Sequence, residues 1–257
     1  MDRLPDPPHP DLPHPAVARL LWQIPVGWTF TVLFTVSVVI VSFVTLGRAS
    51  RRVLPAMLRF WGRWALVIQG VRLTIEGLEN MTGEAPRIAT FNHVSTLDAM
   101  IIPVLTPPGG VSAVKRELLY IPFVNMAVYL MGFLFIDRAH SAKGRETLQR
   151  AAARVEKERL TVFIAPEGTR SKTGALQGFK SGAFRLAIGS GAPVVPVVID
   201  GAFEVHPPHH WACRPGPVRV RILPPVPTKG LTLDALPALS EQVHGLYEAA
   251  LADMRRG

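Results

Sequence analysis

Cysteine is almost absent from this sequence: Cys213 stands alone. An internal disulfide is excluded, and a reducing compartment fits. Lysine is nearly as scarce, 6 residues against 22 arginines. Acidic residues number 19 against 28 basic ones, which leaves a net charge of +9. Such an excess points to an anionic partner, whether nucleic acid, membrane or substrate. The chain has no RNA- or DNA-binding motif, and its aromatic residues do not interleave with basic runs. Nucleic acid is therefore not expected as a partner. There is no internal repeat, and no Gly-x-Ser-x-Gly elbow of the kind a serine hydrolase uses. Apolar residues, by contrast, make up 48% of the chain. They are densest near the N-terminus, which turns the expectation toward an anionic membrane surface.

No charge occurs between Arg19 and Arg48. The densest part, residues 26–46, would make a helix of roughly 31 Å, close to the hydrocarbon thickness of a bilayer. The run is too long for a signal peptide and lacks a small-x-small cleavage site. Arg48, Arg51, Arg52, Arg59 and Arg63 follow it, whereas Arg3 and Arg19 precede it alongside Asp2, Asp6 and Asp11. The positive-inside rule then places the rest of the chain on the cytoplasmic face of the inner membrane. Residues 53–71 mix Arg59 and Arg63 with Phe60, Trp61, Trp64 and Ile68 and read as an interfacial helix. A full span and a hairpin in one leaflet both remain open. Proline-rich residues 1–16 read as a disordered tail.

From residue 71 the periodicity changes. Residues 71–76, 87–91, 111–114, 160–165, 194–199 and 218–223 read as strands. Residues 97–105, 141–159, 179–190 and 233–254 read as helices, and 121–135 as a buried or interface-facing helix running into a strand. The run at 194–199 is continuously apolar, as in a strand covered on both faces. Strands alternating with helices predict an α/β domain over residues 71–257, with a helix-covered, largely parallel central sheet behind the membrane-anchoring segment of residues 17–70.

The segment Asn92-His93-Val94-Ser95-Thr96-Leu97-Asp98 lies where a strand gives way to a helix. Ser95 and Asp98 have capping-box spacing, with Ser95 as N-cap and Asp98 at the third helical position. That leaves His93 unexplained. Residues five apart on one helix point ~140° away from each other. A histidine in the turn before the helix can instead fold back onto Asp98. Such a pair suits general-base activation of an alcohol: the imidazole takes the hydroxyl proton, and the carboxylate fixes the tautomer and stabilises the imidazolium. A thioester donor releases a good leaving group, so no covalent intermediate is required. Spacing alone leaves both the catalytic and the capping reading open.

The same segment resembles the first motif, Asn-His-x-Ser-x-x-Asp, of the glycerophospholipid acyltransferase family, which includes the 1-acylglycerol-3-phosphate acyltransferases. Three further blocks follow in order. Residues 115–118 (Lys-Arg-Glu-Leu), with Pro122 and residues 132–138 (Gly-Phe-Leu-Phe-Ile-Asp-Arg), resemble the second. Residues 166–171 (Pro-Glu-Gly-Thr-Arg-Ser) resemble the third, and Val195-Pro196-Val197 the fourth. Phe179-Lys180-Ser181-Gly182-Ala183 is similar to the stretch the family carries between the last two. Ala165 departs from the pattern, standing where the family usually has phenylalanine.

The resemblance implies His93 and Asp98 as the catalytic pair. It implies an acceptor site from Glu167, Gly168, Thr169 and Arg170, with Lys115 and Arg138 completing a cationic phosphate pocket. Glu167 would meet the glycerol hydroxyls or hold Arg170. The expected reaction moves an acyl chain from acyl-CoA or acyl-carrier protein to 1-acylglycerol 3-phosphate, giving phosphatidic acid, with no resident cofactor or metal. Competing readings are another lysolipid acceptor, such as a lyso-ornithine lipid, a hydrolase using Ser95, and a catalytically silent lipid-binding module. His206, His209, His210 and Cys213 are interrupted by Pro207-Pro208 and read as a proline-rich loop rather than a zinc site.

Overall fold

The computed structural model describes residues 17–45, 53–82, 86–114, 132–135, 142–208, 210 and 212–256. Helix α1 (Val17–Val44) is followed by α2 (Val53–Ile68), then strands β1 (Val71–Glu76) and β2 (Arg87–Phe91). Next come α3 (Asp98–Leu105), β3 (Gly110–Val114), β4 (Leu134–Phe135), α4 (Ala142–Glu158) and β5 (Thr161–Ile164). The chain closes with α5 (Gly182–Ser190), β6 (Val194–Asp200), the one-turn α6 (Ala202–Val205), β7 (Gly216–Ile222) and α7 (Leu236–Arg256).

These strands form a seven-stranded sheet in the order β1-β7-β6-β2-β5-β3-β4. Among the described strand pairs, β6–β7 alone is antiparallel. Central strands are apolar at successive positions because each face has its own helical layer. On one side Ile88, Val162, Val194 and Val198 pack with Val155 of α4, Phe184 and Leu186 of α5, and Val243, Tyr247 and Leu251 of α7. On the other, Ala89, Phe163, Val195, Val197 and Ile199 pack with Leu66 of α2, Ile101 and Leu105 of α3, and Ala202 of α6. At the β1–β7 edge, Arg221 donates to Glu76 of β1 at 2.7 Å and to Asp253 of α7 at 2.6 Å.

Helix α2 is the link to the N-terminal segment. Leu54, Pro55, Leu58, Gly62, Ala65 and Leu66 form its buried face. Gly62 permits close approach to α3: a Cβ there would lie 2.6 Å from the Met100 carbonyl oxygen. Arg59, expected at a membrane interface, instead donates to the Thr106 carbonyl at 2.7 Å. It thereby satisfies a C-terminal carbonyl of α3, where a cation is favourable. The opposite face of α2 leaves Phe60, Trp64 and Val67 exposed. α1 rests on α2 through Phe34 stacked on Trp61, with ring centroids 5.6 Å apart, and through Val38 against Leu54 and Leu58. Phe30 also meets Phe60, and Gln23 and Ser42 are buried, but most of the described apolar side chains of α1 are at least partly exposed. Leu21–Val44 has a mean hydropathy of 2.1, with 11% of its most apolar window buried.

Sequence expectation and structure differ at several ends. α5 begins three residues later than periodicity suggested, because Lys180 is held in an extended segment by its N–H bond to the Pro166 carbonyl at 2.8 Å. α6 is too short for periodicity to register. The expected helix at 121–135 is described only at residues 132–135, which turn into β4. Residues 1–16 lie outside the described residues.

Candidate active site

Strand β2 leaves the sheet at Phe91, in register with Val197 of β6. The side chain of the next residue, Asn92, then imitates one more strand residue. Its Nδ2 donates to the Ile199 carbonyl at 2.8 Å, and its Oδ1 accepts from the Ile199 N–H at 2.7 Å. This fixes where the chain exits the sheet and so where His93 starts.

The turn that follows folds around one carboxylate oxygen. Asp98 Oδ2 accepts from His93 Nδ1 at 2.6 Å, from the Val94 N–H at 3.1 Å and from the Ser95 N–H at 3.2 Å. A carboxylate cannot donate, so Nδ1 carries the hydrogen and Nε2 keeps a free lone pair. The Asp98 side chain is 2% exposed and that of His93 30%, so the pair has a buried root and an accessible tip. Burial pushes the Asp98 carboxyl above its ordinary value, against the pull of the His93 ring and the Ser95 and Val94 N–H groups. The Phe91 ring meets the imidazole edge-on at 5.8 Å.

The capping expectation is corrected in detail. Asp98 is the first helical residue, not the third. The Ser95 hydroxyl accepts from the Leu97 N–H at 3.2 Å and donates to the His206 carbonyl at 2.8 Å. A tight turn at Thr96–Leu97 thus precedes the helix, and the Asp98 side chain closes it by bonding backward. Ser95 is fully buried with its hydroxyl committed on both sides, which leaves no exposed serine nucleophile beside His93.

The turn after β5 grips the same segment from below. Glu167 Oε1 accepts from the His93 N–H at 2.8 Å, and the Ser171 N–H donates to the His93 carbonyl at 2.8 Å. Both peptide groups of His93 are therefore held by this turn. Glu167 Oε2 accepts from Gln177 Nε2 at 2.9 Å, and the same amide donates to the Thr169 carbonyl at 3.0 Å. Glu167, expected to meet acceptor hydroxyls or to hold Arg170, is 2% exposed and gives its oxygens to His93 and Gln177. Its carboxyl is also pushed up by burial, opposed by the hydrogen bonds from His93 and Gln177.

Gly168 has φ +79, and a Cβ there would come within 2.9 Å of Lys180 Cδ. The backbone of this turn accordingly favours glycine, while the flexible end of Lys180 fills the space beside it. Ala165 closes the turn with its carbonyl, which accepts the Gly168 N–H at 3.2 Å. Thr169 and Arg170 are exposed, and the Arg170 guanidinium donates to the Thr96 hydroxyl, beside the His93 turn. Lys115 and Arg138 lie outside the described residues.

In the proline-rich loop, His206 Nε2 donates to the His210 carbonyl at 3.0 Å, and burial lowers the pKa of its ring. The buried Cys213 thiol is pushed up to about 12, which makes it a poor metal ligand. Among the described residues no cluster of three or more His, Cys, Asp or Glu could hold a metal ion.

Sequence reasoning reached His93, Asp98 and the 166–171 turn, gave no role to Asn92 and Ser171 within its motifs, and missed Gln177. Asn92 and Ser171 pair with Ile199 and His93, far along the chain, and Gln177 reaches back across a turn whose course the sequence does not specify.

Residues 72–200 match the family model described as Acyltransferase. The chain is 34% identical to human 1-acyl-sn-glycerol-3-phosphate acyltransferase alpha over 68% of its own length and 62% of the relative's. It is 34% identical to the human beta form over 82% of its own length and 76% of the relative's. In three dimensions it resembles the crystal structure of the 1-acyl-sn-glycerophosphate (LPA) acyltransferase, PlsC, from Thermotoga maritima. That match has a TM-score of 0.79 at 25% identity and covers 93% of this chain and 95% of that one.

Proposed function

Since the chain belongs to the acyltransferase family, we propose that it acylates the free hydroxyl of 1-acylglycerol 3-phosphate to give phosphatidic acid, with acyl-CoA or acyl-carrier protein as donor. The observation that carries this reading is the His93–Asp98 pair, joined at 2.6 Å, with Nε2 of His93 left to meet a substrate. In the proposed step Nε2 takes the hydroxyl proton as the oxygen attacks the thioester carbonyl. Asp98 stabilises the imidazolium. Collapse of the tetrahedral adduct breaks the C–S bond, and the imidazolium returns its proton to the departing thiolate. Atoms balance without a covalent enzyme intermediate.

Arg170 bonds Thr96 in the turn that follows His93, and its planar fork suits a phosphate. Lys115 and Arg138 are proposed as its companions on the resemblance alone. A hydrolytic reading based on Ser95 is disfavoured by that residue's burial and its two committed hydrogen bonds.

α1 is long and apolar enough to cross a bilayer, which supports membrane association. We propose that the α/β domain lies on the cytoplasmic face of the inner membrane, where a lysolipid reaches the site from the lipid surface.

The test is an assay of purified protein with radiolabelled acyl-CoA and a panel of lysolipids, scored by product. Labelled phosphatidic acid, absent in His93→Ala, is the expected result. Acylation of a different lysolipid in preference would overturn the acceptor. Release of free fatty acid alone would overturn transfer itself.

A further inference from the structure

We infer that Gln177, acting through Glu167, is a positioning residue for His93, and that Glu167 reaches the reaction through the enzyme's own backbone rather than by touching the acceptor. The inference rests on the reading of His93 as the base.

Four hydrogen bonds carry it. The His93 N–H is bound by Glu167 Oε1 at 2.8 Å, and the His93 carbonyl by the Ser171 N–H at 2.8 Å. The far oxygen of Glu167 is bound by Gln177 Nε2 at 2.9 Å, and that amide also bonds the Thr169 carbonyl at 3.0 Å. Gln177 therefore closes the 166–171 turn on itself, joining a side chain and a backbone group of the same turn. The turn in turn holds His93 on both sides of its Cα.

Glu167 is too deep to bind a lipid hydroxyl. It is 2% exposed, and each oxygen already has a donor inside the protein. Position matters for the base because Nδ1 is pinned to Asp98 from one side only. The backbone must supply the remaining constraint on where Nε2 points. Displacing a reacting group by about 1 Å costs roughly 10²-fold in rate.

The two roles predict different kinetics. A group that binds acceptor equally in ground and transition states changes KM, while one that aligns the base changes kcat. The experiment measures kcat and acceptor KM for Gln177→Leu, Glu167→Gln and Glu167→Ala, using whichever lysolipid the wild-type protein acylates. Hydrogen–deuterium exchange is followed in parallel over the peptide containing His93, with strand β6 as an internal control.

Positioning requires kcat to fall about tenfold or more in Gln177→Leu and further in Glu167→Ala, with acceptor KM within about twofold of wild type. Glu167→Gln keeps an oxygen for the His93 N–H and should fall between. Exchange at His93 should quicken while β6 is unchanged. A rise in acceptor KM with kcat preserved would overturn the inference and return Glu167 to the acceptor. Unchanged kcat in Gln177→Leu would overturn it too. If the wild-type protein acylates no lysolipid, the proposed function fails separately. The exchange arm still decides the hydrogen-bond relay, and unchanged exchange at His93 in Glu167→Ala would overturn it.

Discussion

Asp98 does two jobs with one oxygen. Oδ2 closes the Val94–Ser95 turn and receives the His93 ring. Asp98→Asn keeps an oxygen for the two backbone N–H groups but can also donate to the ring, which favours the wrong tautomer. We expect kcat to fall on the order of 10³–10⁴-fold with the fold intact, checked by steady-state kinetics and circular dichroism. A pH dependence follows from the burial that raises the Asp98 carboxyl. A carboxyl with a raised folded value stabilises the fold fully below the ordinary range, and that contribution is lost as pH rises through the folded value. Wild type should therefore gain stability relative to Asp98→Asn as pH falls from about 7 toward about 4. Wild-type kcat should move the other way, since a protonated Asp98 cannot support the imidazolium. Urea unfolding and kinetics over the same pH series check both, and stability falling in parallel with kcat would contradict the assignment. The residue pattern made the His93–Asp98 pairing legible because the two lie five apart and one turn can join them. Asn92 to Ile199 and Glu167 to His93 were not legible, being separated by 107 and 74 residues. Nothing local marks either partner, and the resemblance pointed Glu167 toward the acceptor hydroxyls or Arg170 rather than toward the His93 backbone.

At the scale of elements, two contacts decide how the site-bearing layer is held. Tyr247 on α7 is fully buried; its hydroxyl donates to Thr90 Oγ1 at 3.1 Å and accepts from the Val197 N–H at 3.3 Å. It thus ties α7 to β2 and β6 just before β2 delivers His93. Tyr247→Phe should cost about 1–3 kcal/mol of unfolding free energy, measured by urea titration, because buried partners lose a hydrogen bond without gaining water. Gly62 on α2 faces the Met100 carbonyl, Pro103 and Val104. Gly62→Ala raises helix propensity by roughly 1 kcal/mol, which alone would stabilise. The Cβ would sit 2.6 Å from a backbone oxygen, so α2 and α3 must separate. Overpacking of that kind costs about 1–3 kcal/mol and should outweigh the propensity gain, giving net destabilisation in the same assay. The central strands were readable from sequence because burial on both faces leaves an uninterrupted apolar run, as in β5 and β6. The order of the strands and the antiparallel direction of β7 were not. Both depend on which edges meet in space, and a single sequence carries no pattern for that choice. The start of α5 was misread because Phe179 is apolar for a reason unrelated to helical period: its ring packs on Tyr247 at 5.3 Å and His244 at 4.8 Å.

For the whole molecule, the issue is what the bare surface of α1 is for. Leu33, 63% exposed, and Val36, 45% exposed, lie near the middle of the helix. α1 holds to α2 along one face, through Phe30, Thr31, Phe34, Val38 and Val41, with Gln23 reaching the Gln69 carbonyl. α2, in contrast, is fixed to the α/β domain by Gly62 against α3, by Leu66 in the core beneath the sheet and by Arg59 on the end of α3. A charge at the outer face of α1 should therefore leave the domain folded, since neither Leu33 nor Val36 belongs to a core cluster. In a bilayer, an arginine near the centre of a helix costs about 2.5–3.5 kcal/mol on insertion scales. The double variant Leu33→Arg, Val36→Arg should shift the protein from the vesicle-bound to the free fraction in a flotation assay with anionic phospholipid vesicles. Turnover of a lysolipid dispersed in detergent should stay near wild type, because the His93 turn is untouched. Turnover of the same lysolipid presented in vesicles should fall with the bound fraction. Undiminished flotation would mean that the exposed aromatic face of α2 suffices to hold the protein on the membrane. Lost turnover in detergent would mean that α1 shapes the site itself.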